Sequence, residues 1–83
     1  MAARYGDGRS ALDLALDTVS GLKPGSWESV EALAMLAIEA GARPEGLPLL
    51  DAARSSASGL LAGSWQSARA LAWIARAERE LLR

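Results

Sequence analysis

Cysteine, histidine and phenylalanine are all missing from this chain of 83 residues, and Lys23 is its only lysine. Without cysteine there is neither a disulfide framework nor a thiolate metal site. Without histidine the commonest general base and the commonest metal ligand are both absent. Long apolar runs are missing too. The longest uncharged stretch, Ser55–Ala68, has 14 residues and is interrupted by serine and glycine, which is too short and too polar to span a bilayer. Met1–Ser10 carries Arg4, Asp7 and Arg9 around no apolar segment, so it does not read as a signal peptide. A cytoplasmic protein without a membrane partner is the expectation.

β-Branched aliphatics are limited to Val19, Val30, Ile38 and Ile74. What is present instead is alanine (18) and leucine (14), the strongest helix formers, so the composition predicts an all-α fold. One domain is the most this length supports. The net charge of −1 gives no general attraction to nucleic acid. Its distribution is uneven: residues 1–42 hold three basic and six acidic groups, residues 43–83 six basic and four acidic. Halves of net −3 and +2 attract one another, within a chain or between chains.

Displacing the sequence by 38 places superimposes Leu12–Ala40 on Leu50–Glu78 with 14 of 29 positions identical, among them Gly25-Ser26-Trp27 on Gly63-Ser64-Trp65. A recurrence of this length marks tandem helical hairpins. The expected organisation is a flexible tail over residues 1–9 and a single helical domain over 10–83, with hairpin repeats at about 10–43 and 48–83. Together they give an antiparallel four-helix arrangement. Ser10, with Asp13 three residues on, caps the first helix, and Gly21 in the left-handed conformation ends it, with Leu22 folding back on Leu16. Ser26 caps the second helix, which Gly41 and Pro44 stop. The third starts near Pro48, a residue suited to a first helical turn, and ends at Gly59. Its Ala52, Ala53, Ser55, Ser56 and Ala57 offer little to bury, so it either lies tight against a neighbour or is the mobile element. The fourth runs from Trp65 towards Arg83.

At 100° per residue the second helix places Val30, Leu33, Leu36, Ala37 and Ala40 on one side, continued by Trp27, Ala34 and Ile38. The fourth repeats that side as Ala68, Leu71, Ile74, Ala75 and Leu82, with Arg76 replacing Ile38, and reads as an outer, solvated copy. The pattern Trp27-x-x-Val30-x-Ala32-Leu33-Ala34-x-Leu36-Ala37, and its counterpart from Trp65 to Ala75, resembles helical-hairpin solenoid repeats of the TPR and HEAT kind. That resemblance implies a scaffold that binds proteins or peptides, and it carries over no functional residue. Two such units are fewer than a solenoid needs, so either the hairpins close on each other or further repeats come from another chain. A starting Met and a polar outer helix favour a complete small protein over a fragment.

Met35 and Trp73 share a repeat position on arcs that are otherwise polar. The interface reading makes them a docking patch flanked by Arg69 and Arg76; the alternative is that they meet each other, or Tyr5, inside one chain. Glu31 and Arg69 also share a repeat position, with opposite sign, and pairing of the hairpins would bring them together. Trp27 and Trp65, with Gly25, Ser26, Gly63 and Ser64 before them, read as structural. Arg69, Arg76, Arg79 and Arg83 could be drawn as a nucleic-acid-reading helix, an alternative that the acidic balance disfavours. Nine serines have no histidine to activate them, and Gly6-Asp7-Gly8 has no calcium-loop pattern. No catalytic residue, metal site or cofactor is expected. The function expected is a non-enzymatic interaction or self-assembly module, homodimeric or larger, acting through helices two and four.

Overall fold

A computed structural model describes Tyr5, Gly6 and residues 8–82. Four helices succeed one another in order: α1 Ala11–Ser20, α2 Trp27–Ala40, α3 Gly46–Ser58 and α4 Trp65–Leu81, with no strand among the described residues. Of the tail expected over residues 1–9, Met1 to Arg4 and Asp7 lie outside the described residues, as does Arg83. Within the described part Tyr5 is exposed, and Arg9 reaches Asp17 of α1 at 3.3 Å. Tyr5 therefore does not cover Met35 or Trp73.

The helix starts derive from their serines. Ser10 accepts from the Asp13 backbone N–H at 3.0 Å. At α2 the Ser26 hydroxyl accepts from the Ser29 N–H at 3.2 Å, while the Ser29 hydroxyl accepts from the N–H groups of Gly25 and Ser26 and donates to the Ser26 carbonyl. At α4 the same arrangement recurs with Ser67 and Ser64, down to the extended backbone of the capping residue (φ −143°, ψ 163° at Ser26; φ −130°, ψ 164° at Ser64). A serine three residues after the cap thus takes the part that Glu or Gln has in the usual capping box.

One helix end differs from expectation, and one helix start has a cause that the sequence does not show. Gly21 is not left-handed (φ −97°); α1 closes instead by tight turns in which Gly21 N–H donates to Thr18 and Leu22 N–H to Val19, and these need no positive φ. Leu22 remains exposed rather than folded onto Leu16. α3 begins at Gly46, two residues before Pro48. Pro48 is tolerated there because the first N–H groups of a helix have no intrahelical partner, so its missing donor costs nothing. Gly46 is required by proximity: a Cβ at that position would lie 2.3 Å from the Gly41 carbonyl oxygen. Gly41, at φ +53°, makes the turn that brings the two backbones together.

α2 is the central element. It buries Val30, Leu33, Ala34, Ala37 and Ala40 and packs against α1, α3 and α4. α3 adds Leu50 and Ala53, and α4 adds Ala70, Ile74 and Ala77. α3 is therefore the closely packed element that its small side chains permit. The loosely attached helix is α1, which buries nothing completely and touches only α2 among the described helices. Extents of 40 × 30 × 18 Å describe a slab about two helices thick. Arg43 links α1 to the α2–α3 turn through Asp13 at 2.9 Å, and Arg54 links α3 to α4 through Glu78 at 3.2 Å. Among the described residues no helix is long and apolar enough to cross a membrane.

α4 corrects the expected apolar face. Of Ala68, Leu71, Ile74, Ala75 and Leu82 only Ile74 is buried; the side turned inward is Ser67, Ala70, Ile74 and Ala77. Alanine on both sides of the helix made the two faces alike to a hydropathy wheel. Ser67 can face the core because the cap already satisfies its hydroxyl.

Candidate interaction surface

Both Gly-Ser-Trp corners launch a helix in the same way, yet their tryptophans have different surroundings. Trp27 is half-buried, lies against the core, and donates its indole N–H to the Leu61 carbonyl at 3.0 Å, in the loop that leads into α4. Trp65, at the matching position 38 residues on, is 92% exposed. The expectation that Trp65 serves the core is not met, because among the described residues no further helix stands to Trp65 as α4 stands to Trp27.

The contrast continues along α4. Buried Val30, Leu33, Ala34 and Ala37 of α2 have as counterparts Ala68, Leu71, Ala72 and Ala75, all exposed, with Leu71 at 41%. With Trp65 these side chains form an apolar strip on the side of α4 that α2 covers on itself with α3 and α4. From the sequence, the strip's residues fall on an apolar side or in the repeat pattern, but that side was expected to face inward. The signal that identifies the strip is the displacement of 38 itself: whatever covers a position in the first hairpin is missing for its copy in the second.

Of the residues singled out from the sequence, Arg69 donates through Nε to Glu31 Oε2, joining α4 to α2. The Glu31 side chain is only 18% exposed, whereas that of Arg69 is 73% exposed. Arg76 lies over the Trp73 ring, 5.6 Å from its centroid. Trp73 is half-buried against the core, so it is not the exposed anchor that its polar arc suggested; Met35 remains exposed. Glu31 with Arg69, and Arg76 with Trp73, are thus brought into contact.

Where α1 passes into α2, Val19, Leu22, Pro24, Ser29 and Ala32 line an open cavity of about 290 Å³ beside Lys23. The Asp13–Arg43 pair lies at the other end of the α1–α2 hairpin, joining the start of α1 to the turn after α2. Arg43 donates to Asp13 and, together with the hydrogen bond from Ser10, holds its carboxyl below the ordinary aspartate range; Asp13 in turn raises Arg43. Among the described residues no group of carboxylates is arranged to hold a metal ion. The chemistry on offer is apolar contact, indole hydrogen bonding and ion pairing.

Comparison with family models, with curated proteins and with solved structures found no match for this chain.

Proposed function

We propose that this chain is a small non-enzymatic self-assembly module, a duplicated helical hairpin of the TPR/HEAT-like solenoid type whose partner is itself. The observation that carries this reading is Trp65: fully presented to solvent, while its copy Trp27 is covered and hydrogen-bonded. Tryptophan is among the residues most enriched at the energetic centres of interfaces. Here it stands at one end of a strip formed by Ala68, Leu71, Ala72 and Ala75. Those small side chains let another helix approach closely, as α3 and α4 approach α2.

The test is sedimentation velocity or light scattering of the wild-type chain over a wide concentration range. The mass is expected to rise from the 8.7 kDa of one chain to at least double that, and Trp65→Ala is expected to shift this rise to higher concentration. A wild type that stays monomeric throughout would overturn the proposal.

A further inference from the structure

We infer that the copies join head to tail, the exposed α4 strip of one chain seating on the α1–α2 side of the next, so that the contact between chains repeats the contact between hairpins inside each chain. This rests on the self-assembly reading and adds its geometry. Within a chain the first hairpin offers Trp27, Val30, Leu33, Ala34 and Ala37, and the second receives them with Leu50, Ala53, Ser67, Ala70 and Ile74. Displaced by 38, the offering side becomes Trp65, Ala68, Leu71, Ala72 and Ala75, and the receiving side becomes Leu12, Ala15, Ser29, Ala32 and Leu36. Every residue of both displaced sets is half-buried or exposed, as required of two unfilled halves of one contact.

Three further observations agree. The acceptor of the Trp27 indole is the Leu61 carbonyl; its counterpart is the carbonyl of Lys23, beside which lies the cavity lined by Val19, Leu22, Pro24, Ser29 and Ala32. That cavity is the seat for Trp65 of the neighbouring copy. Secondly, the Glu31–Arg69 pair spans one displacement of 38, and a further displacement brings Glu31 of the next copy level with Arg69. Arg69 uses Nε on its own Glu31 and is otherwise largely exposed, with guanidinium donors for a second carboxylate. The signs then alternate along the stack. Thirdly, Ile38 and Ala77 belong to or pack on the core where the hairpins meet, and their counterparts on the open sides are Arg76 and Glu39. An apolar pair inside the chain is replaced by opposite charges on the two outer sides. A contact of this kind is heterologous: each chain keeps one unused side of each type, and growth continues until it is blocked.

The experiment blocks each side separately. Leu71→Glu spoils the α4 strip, and Ala32→Arg spoils the receiving side; both positions are exposed in the monomer. Far-UV circular dichroism verifies that each variant keeps wild-type helicity. Head-to-tail joining predicts that each variant alone stays at the mass of one chain where the wild type grows. Mixed in equal amounts, they give a two-chain species and nothing larger. If Ala32→Arg alone assembles as the wild type does, or if the folded variants stay apart when mixed, the head-to-tail contact is wrong while self-assembly stands. A monomeric wild type removes self-assembly itself. Charge exchange gives a second readout: Glu39→Arg and Arg76→Glu are each expected to weaken assembly, and the two combined in one chain to restore it. A combined variant no better than the weaker single one would overturn the inferred register.

Discussion

Truncating Trp27 and Trp65 to alanine separates what the two copies do. A tryptophan side chain carries about 150–250 Å² of surface. At about 25 cal/mol per Å², full burial is worth roughly 4–6 kcal/mol. Trp27 is half-buried, and the alanine left behind retains part of the contact, so about 2–3 kcal/mol is lost. The hydrogen bond to the Leu61 carbonyl adds about 1 kcal/mol. A loss of about 3–4 kcal/mol is severe for a domain of this length, whose whole stability is on the order of 4–12 kcal/mol. It corresponds to a fall in melting temperature of roughly 12–30 °C. Trp65→Ala, at a position 92% exposed, is expected to stay within about 0.5 kcal/mol when the protein is dilute. Urea and thermal denaturation followed by circular dichroism measure both without relying on tryptophan emission. At high concentration the wild type should melt higher through linkage to assembly, and Trp65→Ala should lose that increment. Equal losses in dilute solution would refute the reasoning, since they would mean that Trp65 is covered within a single chain.

Three other perturbations test the fold. Gly46→Ala replaces a poor helix former with the best one, worth about 1 kcal/mol in an open helix. The new Cβ would nevertheless meet the Gly41 carbonyl oxygen, so a net loss of about 1–3 kcal/mol is expected; an unchanged or higher melting temperature would contradict the close approach. Ser67→Ala deprives Gly63 and Ser64 of their acceptor at a buried position and should cost about 1–2 kcal/mol, more than Ser29→Ala, whose site is only half-buried. Comparison of their urea midpoints decides. Asp13 holds its proton more weakly when folded than unfolded, so its pairing with Arg43 favours the folded state above the ordinary aspartate value of about 4, and that contribution is lost as the pH falls through the depressed folded value. Asp13→Asn should therefore be less stable than wild type at neutral pH, with the difference vanishing in acid; a difference independent of pH would exclude the pair as its source.

Much of the architecture was legible because the sequence punctuates it strongly. The Gly-Ser-Trp corners, the Ser10 cap and the alanine–leucine composition determine four helices and nearly all their starts. Gly46 was not legible, since nothing local marks a glycine as a helix start; it is needed because another backbone, brought round by Gly41, lies against it. The inward side of α4 was hidden for a different reason. Alanine lines both sides, and the one polar residue on the buried side, Ser67, is neutralised by its own cap. Trp73 was misjudged because a wheel shows the neighbours along a helix, such as Arg76 three residues on, and not the core of the bundle against which the indole packs. Trp65 shows the limit of inferring role from recurrence. Identical neighbours in sequence place it identically at a helix start, but burial depends on a further helix packing over it, and among the described residues the second copy has none.

The alanine core has a thermodynamic consequence. Among the described residues, six of the ten buried apolar side chains, Ala34, Ala37, Ala40, Ala53, Ala70 and Ala77, have no rotamers to lose, so ordering them on folding carries almost no side-chain entropy cost. They also withdraw little apolar surface from water, which keeps the heat-capacity change of unfolding small and the stability curve shallow. A protein built this way should lose stability only gradually on warming or cooling. An enlarged side chain at any of these positions finds few neighbouring rotamers into which strain can pass, so the helix axes themselves are pressed apart.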